Sequence, residues 1–261
     1  MIHFYKYHGA GNDFILIDGR TQEPKLNSKQ IKLMCDRNFG IGADGMMYLL
    51  AAKDFDFEMK YFNSDGLEGS MCGNGGRCIA SFAQDRGIDK KKFHFIANDG
   101  EHFAEILDSK DHFKQVKLQM QDVHEIEDID DHLVLNTGSP HHLTFCQSIA
   151  KKNVFQAGRA IRYSKSFKKE GVNANFIEQN GNHLFVRTYE RGVENETLAC
   201  GTGVTASAIG AYIKASEKYN AYQIKTLGGN LKVNFEEDNM HFTNIFLEGP
   251  AEFVFEGDFP F

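Results

Sequence analysis

What most limits how this chain can fold is that it carries one pattern twice, with a period of about 128 residues. The loop HGAGNDF around Gly11 resembles NTGSPHH around Gly138, and GIGAD from Gly40 resembles GVNAN from Gly171. Tyr61 opens YFNSDG and Tyr189 opens YERG; Cys72 opens CGNG and Cys200 opens CGTG. Gly100, in ANDGEHFAEI, has its counterpart at Gly229, in TLGGNLKVNF. Each pair alone is weak, but together they keep their order and nearly constant spacing, which marks two homologous halves. A chain of 261 residues is long enough for two such units, each with its own core.

Within each half the pattern is mainly one of strands. Apolar and polar residues alternate over 116–120, 183–189 and 231–235. Segments 93–97 and 103–107 flank Asn98-Asp99-Gly100, a hairpin signal, and their counterparts flank Gly228-Gly229. Two helices are expected per half. One spans about 28–38, with Ile31, Met34 and Cys35 on one face, and its partner spans about 153–163. The others start just after Cys72 and Cys200, with Ile79, Phe82 and Ala83, and Val204, Ala208 and Tyr212, at helical spacing. Gly87 stands where the first of these would stop. Each half thus reads as a strand-rich α+β unit with one central helix. No Pro/Ser-rich linker separates the halves, so they are expected to meet directly around a cleft. Strand order does not follow from the pattern.

Composition removes several functions. Lys plus Arg number 29 against 36 Asp plus Glu, a net charge of −7, which suits neither a nucleic-acid partner nor phosphate tracking. No apolar stretch approaches the roughly 18–20 residues of a membrane span, and MIHFYKYHGAGNDF lacks a signal core. A soluble, cytoplasmic protein is expected. The five cysteines, Cys35, Cys72, Cys78, Cys146 and Cys200, are too few and too scattered for a disulfide scaffold and fit a reducing compartment. Cys35, Cys78 and Cys146 read as small packing residues.

Cys72 and Cys200 differ, because each opens a helix and is followed by Gly-x-Gly. The N–H groups of a first helical turn and the helix dipole attract negative charge and favour a thiolate. The same groups can hold a carboxylate, and glycine admits a ligand close to the backbone. Two such thiols on opposite faces of one carbon could invert it: one removes a proton and the other donates one. This chemistry needs no metal or cofactor. Cys72 and Cys78 lack zinc-site spacing, and no lysine stands in a Schiff-base context.

The motifs HGAGNDF (8–14), YFNSDGLEGSMCGNGGRC (61–78), GSPH (138–141) and YERGVENETLACGTG (189–203) give the chain a resemblance to the diaminopimelate epimerase family over essentially its whole length. The resemblance implies two pseudo-symmetric α/β domains of α+β type, each a curled, mostly antiparallel sheet around a central helix. It implies that the last strand returns to the first domain, which gives domains of 1–114 plus 250–261 and of 115–249. It implies cofactor-independent interconversion of LL- and meso-diaminopimelate in lysine and peptidoglycan precursor synthesis, with a homodimer as the assembly to test. By position, Cys72 and Cys200 match the catalytic cysteines, and Gly73, Asn74, Gly201 and Thr202 match the donors that hold the reacting carboxylate. Asn12, Asn63, Asn173, Glu190 and Arg191 match substrate contacts, while His141 and Glu190 match positions that tune the thiols. Two departures stand out. Gly45 follows Asp44 where the family often has Gln, and Ser139 precedes Pro140 where it usually has Asn. The rivals are a proline or hydroxyproline racemase of the same fold, against which Glu190 and Arg191 argue, and a non-catalytic anion-binding protein.

Overall fold

The computed structural model describes residues 1–129 and 131–261. Its elements in chain order are β1 (Ile2–Gly9), β2 (Asn12–Asp18), α1 (Ser28–Cys35), β3 (Gly45–Leu50), β4 (Phe57–Asn63), α2 (Gly73–Asp85), β5 (Lys92–Ala97), β6 (Gly100–Lys110) and β7 (Phe113–Gln119). There follow β8 (Ile126–Ile129), β9 (His132–Asn136), β10 (Pro140–Phe145), α3 (Val154–Arg162), β11 (Asn173–Asn180), β12 (His183–Glu190) and β13 (Asn195–Thr197). The chain ends with α4 (Gly201–Lys214), β14 (Ala221–Lys225), β15 (Asn230–Asp238) and β16 (His241–Phe259). Two compact units divide it: Met1–Leu118 with Gly249–Phe261, and Gln119–Glu248.

In the first unit the strands pair in the order β1 to β7. Val116 of β7 stands opposite Gly249 of β16, and β16 pairs back onto β1, with Phe259 opposite Ile2. The sheet therefore curls until its two outer strands share β16, and its backbone groups are satisfied around the ring. Inside lies α2, buried from Gly73 to Ala83. A helix enclosed on all sides has to be small and apolar all round, and GNGGRCIASFA supplies that, apart from the polar residues its first turns use. The period-two alternation of β2 splits its side chains: Ile15 and Ile17 pack with Ile31, Met34 and Cys35 of α1, while Asn12, on the other face, reaches α2.

Helix ends follow local chemistry. Asn27 caps α1 in a reciprocal pair with Gln30, each bond 3.0 Å. The helix ends at Cys35 and not near residue 38 as expected, because Asp36 turns extended and its carboxylate accepts the N–H groups of Asn38 and Phe39 at 2.8 Å. Gly87 does stop α2: at φ +88° its N–H donates to the Gln84 carbonyl, and that of Ile88 donates to Ala83. The hairpin also forms, but β6 begins at Gly100, earlier than expected, because Gly100 pairs with Ala97 and leaves only Asn98 and Asp99 in the turn. Likewise β7 starts at Phe113 because Phe113 and Lys114 pair on both sides, with β6 and with β16.

The second unit repeats the plan. Its strands run β15-β14-β12-β11-β10-β9-β8, with β13 on β12 and the first part of β16 on β15. The central helix α4 is buried from Gly201 to Ala211. On β11, Ala174 and Phe176 face α3 in a cluster with Val154 and Tyr189, while Asn175 faces away from that cluster. The close approach of α3 requires glycine at 158, where a Cβ would fall 2.2 Å from that of Tyr189. Among the described residues, no helix is long and apolar enough to cross a membrane.

Candidate active site

Both cysteines singled out by the repeat are N-caps of the central helices, Cys72 of α2 and Cys200 of α4, with extended backbone. The caps are held differently. The Sγ of Cys72 accepts the N–H of Gly75 at 3.2 Å. The Sγ of Cys200 lies 3.5 Å from the hydroxyl of Thr202. A side chain at two glycines of these first turns would crowd its surroundings, tightly at Gly75 and below any ordinary contact distance at Gly203. A Cβ at Gly75 would meet the sulfurs of Cys72 and Met47 at 3.2 Å, and one at Gly203 would meet Asn175 Oδ1 at 2.5 Å.

Around Cys72 the first unit builds a one-way hydrogen-bond chain. The guanidinium of Arg77, fully buried, donates to Gly73 O at 3.0 Å, to Asn74 Oδ1 at 2.9 Å and to Pro250 O at 3.3 Å. Asn74 Nδ2 donates to Asn12 Oδ1 at 3.1 Å, and Asn12 Nδ2 donates to Asp44 Oδ2 at 2.7 Å. Arg37 bridges Asp44 and Asp13, and Lys6 pairs with Asp13 at 2.7 Å. Burial raises the Asp13 carboxyl, but the bonds from Arg37 and Lys6 outweigh it and hold it at about 2. Burial lowers Arg77 to about 10, so it stays cationic at neutral pH. Arg77 was not singled out in the sequence. Its only signal there is its place one turn into the helix that Cys72 opens.

Asn63 ends β4 opposite Gly45. At Gly45 the missing side chain is replaced by a neighbour: a Cβ there would fall 2.8 Å from the Tyr61 hydroxyl and 2.7 Å from its ring, so the phenol covers the glycine. Gly69 lies under the other edge of the same ring, with a Cβ position 3.1 Å from Cδ1 and Cε1 and 2.9 Å from Asn63 Nδ2.

In the second unit, His141 of β10 is completely buried between Thr202, at 2.9 Å from Nε2, and Asn175, at 3.0 Å from Nδ1. Ser139 Oγ reaches the Thr202 hydroxyl at 3.3 Å, so the shorter side chain still makes a polar contact. Thr137 fixes the carbonyl of Thr202 at 2.8 Å. Asn173 Oδ1 accepts the Arg191 N–H at 2.8 Å. Glu190 closes β12 and Arg191 opens the turn after it, its guanidinium donating to Glu170 O at 3.0 Å. The remaining cysteines pack: Cys35 and Cys78 are buried and Cys146 lines the α3 cluster. Burial pushes the Cys35 thiol up to about 12. His142, buried beside His132 and Phe167, belongs to the packing too. Among the described residues no group of three His, Cys, Asp or Glu is placed to hold a metal ion.

Burial, with the charge of Arg191 adding to it, holds His141 at about 3, and burial with His132 holds His142 at about 4. Both values lie below the ordinary 6.5, so the unfolded chain binds more protons than the folded one between pH 6.5 and about 4. Stability is full above pH 6.5 and falls as pH drops through that window, by on the order of a few kcal/mol. Urea midpoints at pH 7 and pH 4.5 should differ accordingly, and His142→Gln should reduce the difference. Equal midpoints would contradict the neutral burial of these rings.

Two α+β units, each beginning its central helix at a cysteine within a Gly-rich turn, make up the chain. The fold matches solved structures of a Bacillus anthracis phenazine biosynthesis protein of the PhzF family, at 14% identity and TM-score 0.79 over 100% of this chain and 99% of that one. It also matches a hydroxyproline epimerase from Agrobacterium vitis, at 14% identity and TM-score 0.74 over 98% and 91%. The chain belongs to the diaminopimelate epimerase family, whose model matches it twice, over residues 4–125 and 133–254. It is 49% identical to the diaminopimelate epimerase of Flavobacterium psychrophilum over 97% of this chain and 98% of the relative. To that of Aquifex aeolicus it is 37% identical over 97% and 96%.

Proposed function

We propose that this epimerase interconverts LL- and meso-2,6-diaminopimelate by passing the α-proton between the thiols of Cys72 and Cys200. The thiolate of one takes the proton from one face of the α-carbon and becomes a thiol. The thiol of the other delivers its proton to the opposite face and becomes a thiolate, so charge and protons balance. The observation that carries the reading is that both cysteines cap the central helices of a duplicated fold. The backbone N–H groups of Gly73, Asn74, Gly201 and Thr202 are assigned to the substrate carboxylate, where they stabilise charge that moves into it as the proton leaves. Asn12, Asn63, Asn173, Glu190 and Arg191 are assigned to the rest of the substrate: an Arg fork suits a carboxylate and Glu190 an ammonium. His141 and Glu190 are assigned to tuning the thiols. This chemistry calls for no cofactor. Action in the cytoplasm, in lysine and peptidoglycan precursor synthesis, and as a homodimer belongs to the same reading.

Incubation in heavy water with LL-diaminopimelate is expected to give α-deuterium incorporation and the meso isomer, while L-proline gives none. Exchange into proline alone would replace this reading with that of a proline racemase. Light scattering during gel filtration reads the assembly.

A further inference from the structure

We infer that Asn175 is a positioning residue that fixes His141 as the donor in a one-way hydrogen-bond chain ending on the sulfur of Cys200. Asn175 is fully buried on β11, opposite Thr188 of β12. The amide atom that approaches His141 Nδ1 also lies 3.3 Å from the carbonyl oxygens of His142 and Asn173. Carbonyl oxygens only accept, so that atom is the nitrogen, and the other end of the amide accepts the Thr188 hydroxyl at 2.9 Å. An amide nitrogen cannot accept, so a proton on His141 Nδ1 would be buried against a donor at 3.0 Å; Nδ1, at the shortest of the three contacts, is the bare, accepting nitrogen. Burial keeps the ring neutral, so its one proton sits on Nε2 and is donated to Thr202 Oγ1 at 2.9 Å.

The hydroxyl of Thr202, having accepted, turns its own proton elsewhere. Its neighbours are Ser139 Oγ at 3.3 Å and Cys200 Sγ at 3.5 Å. A thiolate is the charged acceptor and takes the stronger bond, and Ser139 can donate into the lone pair that Thr202 has left. The chain runs Thr188, Asn175, His141, Thr202, Cys200, and every donor in it has its direction set by Asn175. Glycine at 203 is part of the same arrangement, since a Cβ there would sit 2.5 Å from Asn175 Oδ1 and displace the amide. On this account His141 does not take up the substrate proton. It orients the Thr202 hydroxyl so that a negative charge on Cys200 is met by a donor.

The inference rests on the role given to Cys200 in the proposed reaction, but it can be read without turnover. Nitrogen NMR of the labelled wild-type protein is expected to show His141 protonated on Nε2 and bare on Nδ1. A proton on Nδ1 overturns the inference. Asn175→Asp offers His141 only acceptors and draws the proton to Nδ1, reversing the chain. Alkylation of Cys200 by iodoacetamide at neutral pH, followed by peptide mass spectrometry, is then expected to slow about tenfold. The kcat for epimerisation should fall with it while KM stays within about twofold. Circular dichroism checks that the variant folds. Should it not, Thr202→Val removes only the last link and is expected to slow alkylation equally. Unchanged alkylation in a folded variant overturns the inference. If tautomer and alkylation behave as stated but the wild type exchanges no diaminopimelate proton, the functional reading fails and the hydrogen-bond chain stands.

Discussion

Cys72→Ser and Cys200→Ser are each expected to abolish epimerisation while the protein stays folded. Serine is a better N-cap than cysteine and can accept the Gly75 N–H that Cys72 Sγ accepts, so neither helix loses its start. What is lost is acidity: an alkanol gives no useful anion at neutral pH, whereas a thiol at a helix N-terminus does. Removing one acid–base group from a reaction that needs one on each face costs about 100- to 10,000-fold, and inversion stops altogether if the return proton has no donor. The measurement is α-deuterium exchange on both diaminopimelate isomers, with circular dichroism as the folding control. If either variant kept about a tenth of wild-type activity, a two-thiol reaction would be untenable. An anion-binding protein without catalysis would lose nothing from either change.

The second large effect is expected at Arg77. Arg77→Met removes a cation that satisfies Gly73 O, Asn74 Oδ1 and Pro250 O in a fully buried setting. Each buried acceptor left without a donor costs about 1–3 kcal/mol, so a loss of about 3 kcal/mol or more is expected in urea unfolding. Arg77→Lys should recover little of it, because a single ammonium cannot reproduce the planar fork. The substitution also releases Asn74, and through it Asn12, from their fixed orientation, so substrate binding should weaken in whatever fraction stays folded. A shift below about 1 kcal/mol would mean that water or neighbouring groups replace the guanidinium.

Much of this was legible in the sequence because it rests on local chemistry. The duplication, the helix starts after Cys72 and Cys200, the stop at Gly87 and the hairpin at Asn98-Asp99 are each set by a few adjacent residues. The strand order was not legible, because the pairing of Ile2 with Phe259 joins the two ends of the chain, and a register over that separation leaves no periodic trace. Nor were the supporting polar residues. Asn175 is one asparagine among several, and its weight comes from Thr188 and His141, which only the folding of β10, β11 and β12 side by side brings to it. Gly45 read as a gap in the site; the fold covers it with Tyr61 from the adjacent strand.

The shared strand β16 has a consequence for how the molecule is made. Residues up to Leu118 leave the ribosome before the strand that joins β7 to β1, because the whole of Gln119–Glu248 is translated between them. Until then β1 and β7 each present an edge that can pair with another nascent chain. The second unit, Gln119–Glu248, meets no such delay, since all of its strands precede the final segment. The first unit is thus started before the second and completed after it, and slow or stalled synthesis between Leu118 and Gly249 leaves its edges exposed for longer.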